Sequence, residues 1–576
     1  MAANGQLLGE GTRRSKGDQA RRYNLLAARL IAELVKSSLG PRGLDKMFVD
    51  VMGEVTVTKD GATLLRKIDV EHPAAKVMIE ASNAVENEVG DGTTSVVVLA
   101  GALVQKAEEL LNMGIAPSTI SEGYLKGLEI ALEALYSISQ KYGNADRLAM
   151  QMLARTCLHS KALAYGGDGV AGLLVDAICS IADFGGNSAD IDDIKIEEKE
   201  GSIVDTQFIR GIVIDKMIDS SAMPRAVENA KIMLINDELE GKRTRTDAEI
   251  RITSPDQIKS YSDVQTLMIK SKVEHIIDSG ANVVFSRKGI NTLAQHLLTR
   301  AGVISVRRVK ENDLIWLAKA TGATISEKLD HDHDDHHYHH DDHYHHVDID
   351  IKLGFAERVY EKKVGDDKMV FVEGCKNPKA VTILLRANSK RTLDECHRSA
   401  LDVISVLRNF IIRPYVVAGG GAAEAALAKA AREKASSIVG REQLVIQKFA
   451  EALEEIPLTI ARNAGMDVIN TLAQLRSGHS NGRASSCGVD AIERKVQEMF
   501  PSVIDSAMVK EQVIKTAVEV TNLLIRVDDV LMAKPTMYTH THSNGAKHSH
   551  AGGDKEHQHD YFDRLGSQQR PKHHYY

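Results

Sequence analysis

The sequence is poor in aromatic residues: 1 Trp, 14 Tyr and 10 Phe make up 4% of its 576 residues. Its core must therefore be built mainly from Ala, Val, Ile and Leu. Cysteine is scarce too. Cys157, Cys179, Cys375, Cys396 and Cys487 form no CxxC pair and are odd in number. That excludes a secreted disulfide framework and predicts reduced thiols in a cytoplasmic protein. No run of about 20 apolar residues occurs, so no membrane-spanning helix is expected. Met1–Gly17 is polar and lacks the apolar stretch of a signal peptide. Positive charge is not in excess: 72 Lys+Arg face 79 Asp+Glu, a net charge of -7, which argues against a nucleic-acid coat. Two nucleotide-binding signatures are also missing. Without GxxxxGK[ST] the chain is not a P-loop enzyme, and without GxGxxG after a strand it is not a Rossmann protein.

What is present is ordinary for a large globular chain. Hydrophobic residues make up 43% and charged residues 26%. At about 100–200 residues per domain, three or four domains are expected. Apolar residues recur at helical spacing from Gln19 to Leu39, from Ala74 to Val89 and from Thr93 towards Leu111. Val55–Val57 reads as a strand, and residues 150–200 read as helical. Lys195–Val213 alternates as strands do. Ile232–Ile235, Val283–Phe285, Val303–Val306, Val370–Val372 and Val381–Leu385 suit strands, whereas Ile258–Ile277 and Asn291–Ala301 suit helices. A long helix follows Arg391 to about Ile412, and residues 422–530 are again mainly helical. The order is α, mixed, α/β, mixed, α, so the helical ends could be halves of one interrupted domain.

Four Gly-rich turns carry candidate chemistry. Gly90-Asp91-Gly92-Thr93-Thr94-Ser95 joins a loop to a helix start. Free N–H groups there suit a phosphate, and Asp91 suits Mg²⁺. A plain capped helix after a Gly turn fits the same hexapeptide. Leu39-Gly40-Pro41-Arg42-Gly43 follows a helix and alone is usually a C-cap. Lys59-Asp60-Gly61 adds a carboxylate in a turn. Ala418-Gly419-Gly420-Gly421 lets backbone approach a ligand before another helix.

Histidine is unevenly spread. Of 23 His, nine fall within His331–His346 and eight between His540 and His574. Imidazoles suit Zn, Ni or Cu, so the first tract, which also holds Asp332, Asp334, Asp335, Asp341 and Asp342, is a candidate metal binder. A solvated insertion without fixed ligand spacing is the alternative.

Together with their flanks, the Gly-rich turns become specific. VKSSLGPRGLDKMFVD at 35–50, VTVTKDGATLLRKIDVEHPAAK at 55–76 and EVGDGTTSVVVLAG at 88–101 resemble segments of the group II chaperonins. So do FVEGCKNPKAVTILLR at 371–386, VVAGGGAAEAALA at 416–428 and LLIRVDDVLMA at 523–533. The resemblance covers about residues 15–535 and is greatest to archaeal thermosome subunits.

That resemblance implies a multidomain α and α/β chaperonin fold. A helical equatorial domain would take 1–148 and 405–535, and a small intermediate hinge 149–216 and 368–404. An α/β apical domain would take 217–367. Its helical protrusion, a lid, would lie at about 255–277, with Ile258, Tyr261, Val264, Leu267, Met268 and Ile269 as the apolar face. The His-rich stretch 331–346 would be an apical insertion; 536–576, by its polar, Gly- and His-rich composition, is expected to be a tail without fixed structure. The implied function is an ATP-dependent chaperone subunit in a double ring of identical or paralogous subunits. It would enclose unfolded protein clients by lid closure, with no nucleic-acid or membrane partner.

Position by position, the resemblance puts Asp91 on Mg²⁺ and Gly90, Gly92, Thr93, Thr94 and Ser95 on the phosphates of ATP. Leu39, Gly40 and Pro41 would line the phosphate side. Asp60 and Asp402 would act on the attacking water, and Lys161 would sense the γ-phosphate. Gly420, Asp490 and Glu498 would meet the ribose or base. The chain departs from the family pattern at Lys59, His397, Leu401, Ala418, Ala491–Lys495 and Glu498. Lys59 is expected to perturb Asp60 through its charge. The alternative these departures motivate is a structural subunit weak in hydrolysis.

Overall fold

The computed structural model describes residues 13–240, 255–327, 329, 352–376, 378–480, 486–532, 537–541 and 547–551. The His331–His346 tract lies outside them. Two compact units make up the chain, one from its terminal segments up to Tyr23 and from Val527, the other from Asn24 to Arg526. In the terminal unit, Arg13–Lys16 pairs antiparallel with Asp529–Met532. Met537–Thr541 and Lys547–Ala551 form a second antiparallel ribbon. The tail was expected to lack structure from 536. Here Tyr538, Thr539 and Thr541 favour an extended backbone despite the polar composition.

Helix α1 (Asp18–Lys36) begins in the terminal segment, and its part from Asn24 on buries Leu25, Ala28, Ile31 and Val35 along one face. It is followed by α2 (Gly61–Lys67), α3 (Pro73–Val89), α4 (Thr93–Asn112), α5 (Pro117–Ile138), α6 (Arg147–Leu158) and α7 (Asp168–Ile181). From Val96 to Val104 every residue of α4 is buried, as befits a central helix that is apolar on all sides. Each fully buried Val or Leu there contributes about 1.5–3 kcal/mol, which outweighs the weak helix preference of valine.

Residues far apart in sequence then meet. Val381–Ala387 lies parallel to Ile194–Glu200 and antiparallel to Gln207–Ile209. Beyond this small sheet is a larger one. Its order is Ile304–Val306, Val283–Ser286, Ala226–Ile235, Gly354–Val364, Asp367–Glu373 and Gly211–Ile214, with Ile325–Ser326 also paired to Ala226–Ile235. The first three strands run parallel, Ile325–Ser326 is also parallel to Ala226–Ile235, and the other pairings are antiparallel. Helices α8 (Pro255–Asp278), α9 (Thr292–Arg300) and α10 (Glu311–Thr321) accompany this sheet. On α8, Ile269, Val273 and Ile276 are buried, while Val264, Leu267 and Met268 are exposed. The expected apolar face is thus divided, and the side chains of Ile258 and Tyr261 lie outside the described residues.

The chain returns through α11 (Lys390–Ile412) to α12 (Ala422–Ala435), α13 (Arg441–Leu453), α14 (Glu455–Asn463), α15 (Val468–Ser480) and α16 (Ala507–Arg526). One continuous core joins residues of α1 and α3–α7 to α11–α13 and α16. A separate core fills the large sheet and α8–α10.

Candidate active site

Helix α3 ends where Gly90 turns left-handed at φ 72° and its N–H donates to the Val85 and Glu86 carbonyls. A Cβ on Gly90 would lie 2.2 Å from Ser405 Cβ of α11, so this turn and α11 are in direct contact. Gly92 follows at φ 85°, where a Cβ would fall 2.7 Å from Val513 Cγ2. Asp91 is held between them. Helix α4 begins with no side-chain cap. Its first intrahelical bond runs from the Val96 N–H to the Gly92 carbonyl at 3.0 Å. The amides of Thr93, Thr94 and Ser95 therefore have no acceptor within the helix, and the positive end of its dipole favours an anion.

Asp60 caps α2. It accepts from the Ala62 N–H at 3.3 Å, the Thr63 N–H at 2.7 Å and the Thr93 hydroxyl at 2.9 Å. Burial opposes its charge, but the bonds from Thr63 and Thr93 and the charge of Lys161 win and hold it below the usual carboxylate range. The cation that acts on Asp60 is thus Lys161; the sequence alone points to Lys59.

Lys161 follows α6, and its ammonium sits among carboxylates. Nζ lies 2.8 Å from Asp402 and 3.6 Å from Asp91. It also donates to Cys157 Sγ at 3.1 Å, and that thiol donates to Asp91 at 3.3 Å. Burial raises the Cys157 thiol well above its ordinary value, so it stays protonated. Asp402, on α11, is pushed up to about 7 by burial and by the charges of Asp91 and Asp60, against the pull of Lys161. Asp91 and Asp402 thus share one lysine, whose charge also reaches Asp60.

Two adjoining cavities meet at this point. The smaller is lined by Lys59, Asp60, Thr93, Thr94, Lys161, Glu395, Arg398 and Asp402. Leu39, Gly40, Asp91, Gly92 and Ser95 line both cavities. The larger continues past Pro41 to Gly420 and Asp490, between apolar walls that include Ile456, Ile460, Val489 and Met499. Gly420 is left-handed at φ 64°, and a Cβ there would lie 2.7 Å from the Val489 carbonyl oxygen.

The structure does not bring every expected residue to the cavities. Gly90 lines neither; its place is against Ser405. Glu498 is exposed, accepts from the Ser486 hydroxyl and also lines neither. Asp490 lines the larger cavity, but its carboxylate accepts from the Ile492 and Glu493 amides at 2.9 Å and from the Gln497 side chain at 2.6 Å. The sequence reading missed Glu424, Asp505 and Lys510, which line the same cavity. Lys510 Nζ lies 2.8 Å from both carboxylates. No local motif signals this triad, because α12, the strand Ile504–Ser506 and α16 meet only in the fold. Of the departures from the family pattern, Leu401 lines neither cavity, and His397 binds Glu198 across to Ile194–Glu200.

Among the described residues no group of three or more His, Cys, Asp or Glu is arranged to hold a metal by itself. That suits Mg²⁺, which keeps its waters and takes one or two carboxylates together with substrate phosphates. Asp91 lines both cavities beside the uncapped start of α4, where a cation held together with phosphates would offset carboxylate charge. The residues present therefore fit the ion.

A profile of the TCP-1/cpn60 chaperonin family matches residues 31–535. The chain belongs to the chaperonin family. It is an ATP-dependent chaperonin subunit, an ATPase whose hydrolysis supports protein folding in a ring chamber, built on the multidomain α/β chaperonin fold. It is similar to the thermosome subunit alpha of Aeropyrum pernix, with 44% identity over 92% of this chain and 95% of the relative. The thermosome subunit alpha of Archaeoglobus fulgidus and a thermosome subunit of Pyrococcus abyssi are each 45% identical over 92% of this chain and 94% of the relative. Among the described residues no helix is long and apolar enough to cross a membrane.

Proposed function

We propose that this chaperonin binds ATP across both cavities and hydrolyses it in the smaller one. The phosphates rest on the Gly92–Ser95 amides and hydroxyls beside Leu39, Gly40 and Pro41, and Asp91 holds Mg²⁺. Bound there, Mg²⁺ would offset phosphate charge. The ribose and base occupy the larger cavity, where Gly420 allows close approach. Asp505 and Lys510 serve there in the place the sequence gives to Glu498, and Asp490 contributes through its backbone and the turn it caps. Glu498 and Gly90 support neighbouring elements.

Asp402 accepts a proton from, and orients, the attacking water. Asp60 holds the Thr93 hydroxyl and the start of α2 in place. Lys161 meets the γ-phosphate. Asp402 lies 2.8 Å from the same lysine, so phosphate and Asp402 compete for one ammonium. The observation that carries this reading is Asp402 on α11, partly buried beside Lys161 with a proton affinity near neutral. A base titrating near the working pH is the efficient one. Positioning and electrostatics supply most of phosphoryl-transfer catalysis.

The larger assignments follow the family. Residues 1–148 and 405–535 form the equatorial domain, 149–216 and 368–404 the intermediate hinge, and 217–367 the apical domain. The exposed Val264, Leu267 and Met268 on α8 suit a protrusion that closes over unfolded clients. The subunits, identical or paralogous, form a cytoplasmic double ring. The His331–His346 tract falls within the apical segment as an insertion. Phosphate release by the assembled protein tests the site: Asp402→Ala abolishes turnover if the assignment holds, and unchanged turnover rejects it. Robust turnover by rings of this chain alone would dismiss the structural-subunit alternative.

A further inference from the structure

A third cavity lies away from the proposed active site, between α12 and α15, and its charge is unbalanced. It is lined by Lys429, Arg432, Glu454, Arg476 and His479, with Leu475 among its apolar residues. Arg476 is bidentate on Glu454, with Nε 2.9 Å and Nη2 2.7 Å from its oxygens. Arg432 binds the same carboxylate, at the oxygen that also accepts from Arg476 Nε. One carboxylate is thus shared by two guanidinium groups. Lys429 donates to the His479 carbonyl at 2.7 Å and meets Glu433 only at 3.7 Å, where the Glu433 side chain is 68% exposed.

The surplus is visible in the bonding. Arg432 Nε is buried and has no hydrogen-bond partner. Burial and the nearby charge of Arg476 lower the affinity of that guanidinium for its proton, despite Glu454. His479 does not add an acceptor charge. It is buried, its Nε2 bonds to the Cys487 carbonyl at 2.8 Å, and burial holds it below its ordinary value and therefore neutral. A partly enclosed site with three cations and one saturated carboxylate calls for an oxyanion, because guanidinium and ammonium donors match phosphate or carboxylate geometry.

We infer that the Lys429–Arg432–Arg476 cavity is an anion-binding site, separate from the ATP site, for a phosphate or carboxylate group. The group is either a free small anion or an acidic side chain of a second copy of the chain. The site borders the nucleotide region through two elements. Gly421, directly before α12, lines the larger cavity, and α14, directly after Glu454, contributes Ile456 and Ile460 to that cavity.

The test is calorimetric titration of inorganic phosphate into the assembled protein with saturating ADP, so that the nucleotide site is filled. The expected result is one binding event per chain, about tenfold weaker in Lys429→Gln, which removes a single charged donor and leaves both arginine contacts to Glu454 intact. If the occupant is a carboxylate of a second copy, phosphate binds only dissociated subunits, and Lys429→Gln shifts the assembly equilibrium. Either result supports the site. Absence of phosphate binding in both states with assembly unchanged, or identical binding by wild type and Lys429→Gln, overturns it. A loss of thermal stability in Arg476→Gln without any change in phosphate binding would show a purely structural cluster.

Discussion

Lys161 Nζ lies 2.8 Å from Asp402 Oδ2, so a residue just past the end of α6 holds the carboxylate of α11. Asp402 is nonetheless raised to about 7, because burial and two neighbouring carboxylates exceed what one lysine supplies. The first prediction follows from this balance. Turnover should rise as pH increases through about 7, as Asp402 loses its proton. Lys161→Met removes the group that favours the ionised form, so the rise should move to higher pH. A pH profile of kcat for both proteins checks the direction.

The same group affects stability with a definite sign. The folded state holds the Asp402 proton more tightly than the unfolded chain does. Its contribution is most favourable below the ordinary carboxylate range and is lost as pH rises towards about 7. Asp60 behaves oppositely. Its folded value is lowered, so its contribution is present above the ordinary range and is lost as pH falls through the folded value. Asp60→Ala should cost about 0.5–2 kcal/mol at neutral pH through the lost cap of α2. The deficit should shrink in acid, as read by denaturant unfolding.

Asp505 and Glu498 make contrasting predictions. Asp505 lines the larger cavity beside Lys510, whereas Glu498 is exposed outside it. Asp505→Asn should raise the KM for ATP several-fold, and Glu498→Gln should leave it unchanged. Steady-state kinetics on the two variants decide between the position the sequence indicates and the one the fold indicates.

Helix α11 is fastened to the Gly90 turn as well as to Lys161. The buried Asn409 side chain donates to the Val89 carbonyl at 2.8 Å, and Arg408 donates to the Glu88 carbonyl at 3.0 Å. Asn409→Ala should leave a buried carbonyl unpaired at a cost of about 1–3 kcal/mol. It should also lower kcat more than it raises KM, since Asp402 lies two turns away on the same helix. Thermal unfolding together with kinetics tests both effects.

Local signals in the sequence account for much of this arrangement. Gly90–Ser95 reads as a turn into a helix start, and it is one. The long helix after Arg391 and the strands at Val283 and Val381 also stand in the structure, because their apolar periodicity matches their burial. The chain does not announce what only tertiary packing creates. Tyr415–Ala418 pairs with Ile504–Ser506 and Gln140–Lys141 across long separations. Glu424, Asp505 and Lys510 come from three elements with no shared motif. Lys59 stands next to Asp60 in sequence, yet the cation acting on Asp60 comes from position 161, since the fold and not the chain sets the distance.

The most direct test of the central claim is phosphate release by the assembled chaperonin at saturating ATP, compared between wild type and Asp402→Asn, with nucleotide affinity measured in parallel. Asparagine keeps the shape of Asp402 and removes its basicity. Turnover should fall by about 10²–10⁴-fold while ATP still binds. An Asp402→Asn protein that binds ATP and hydrolyses it at the wild-type rate would contradict the role assigned to Asp402.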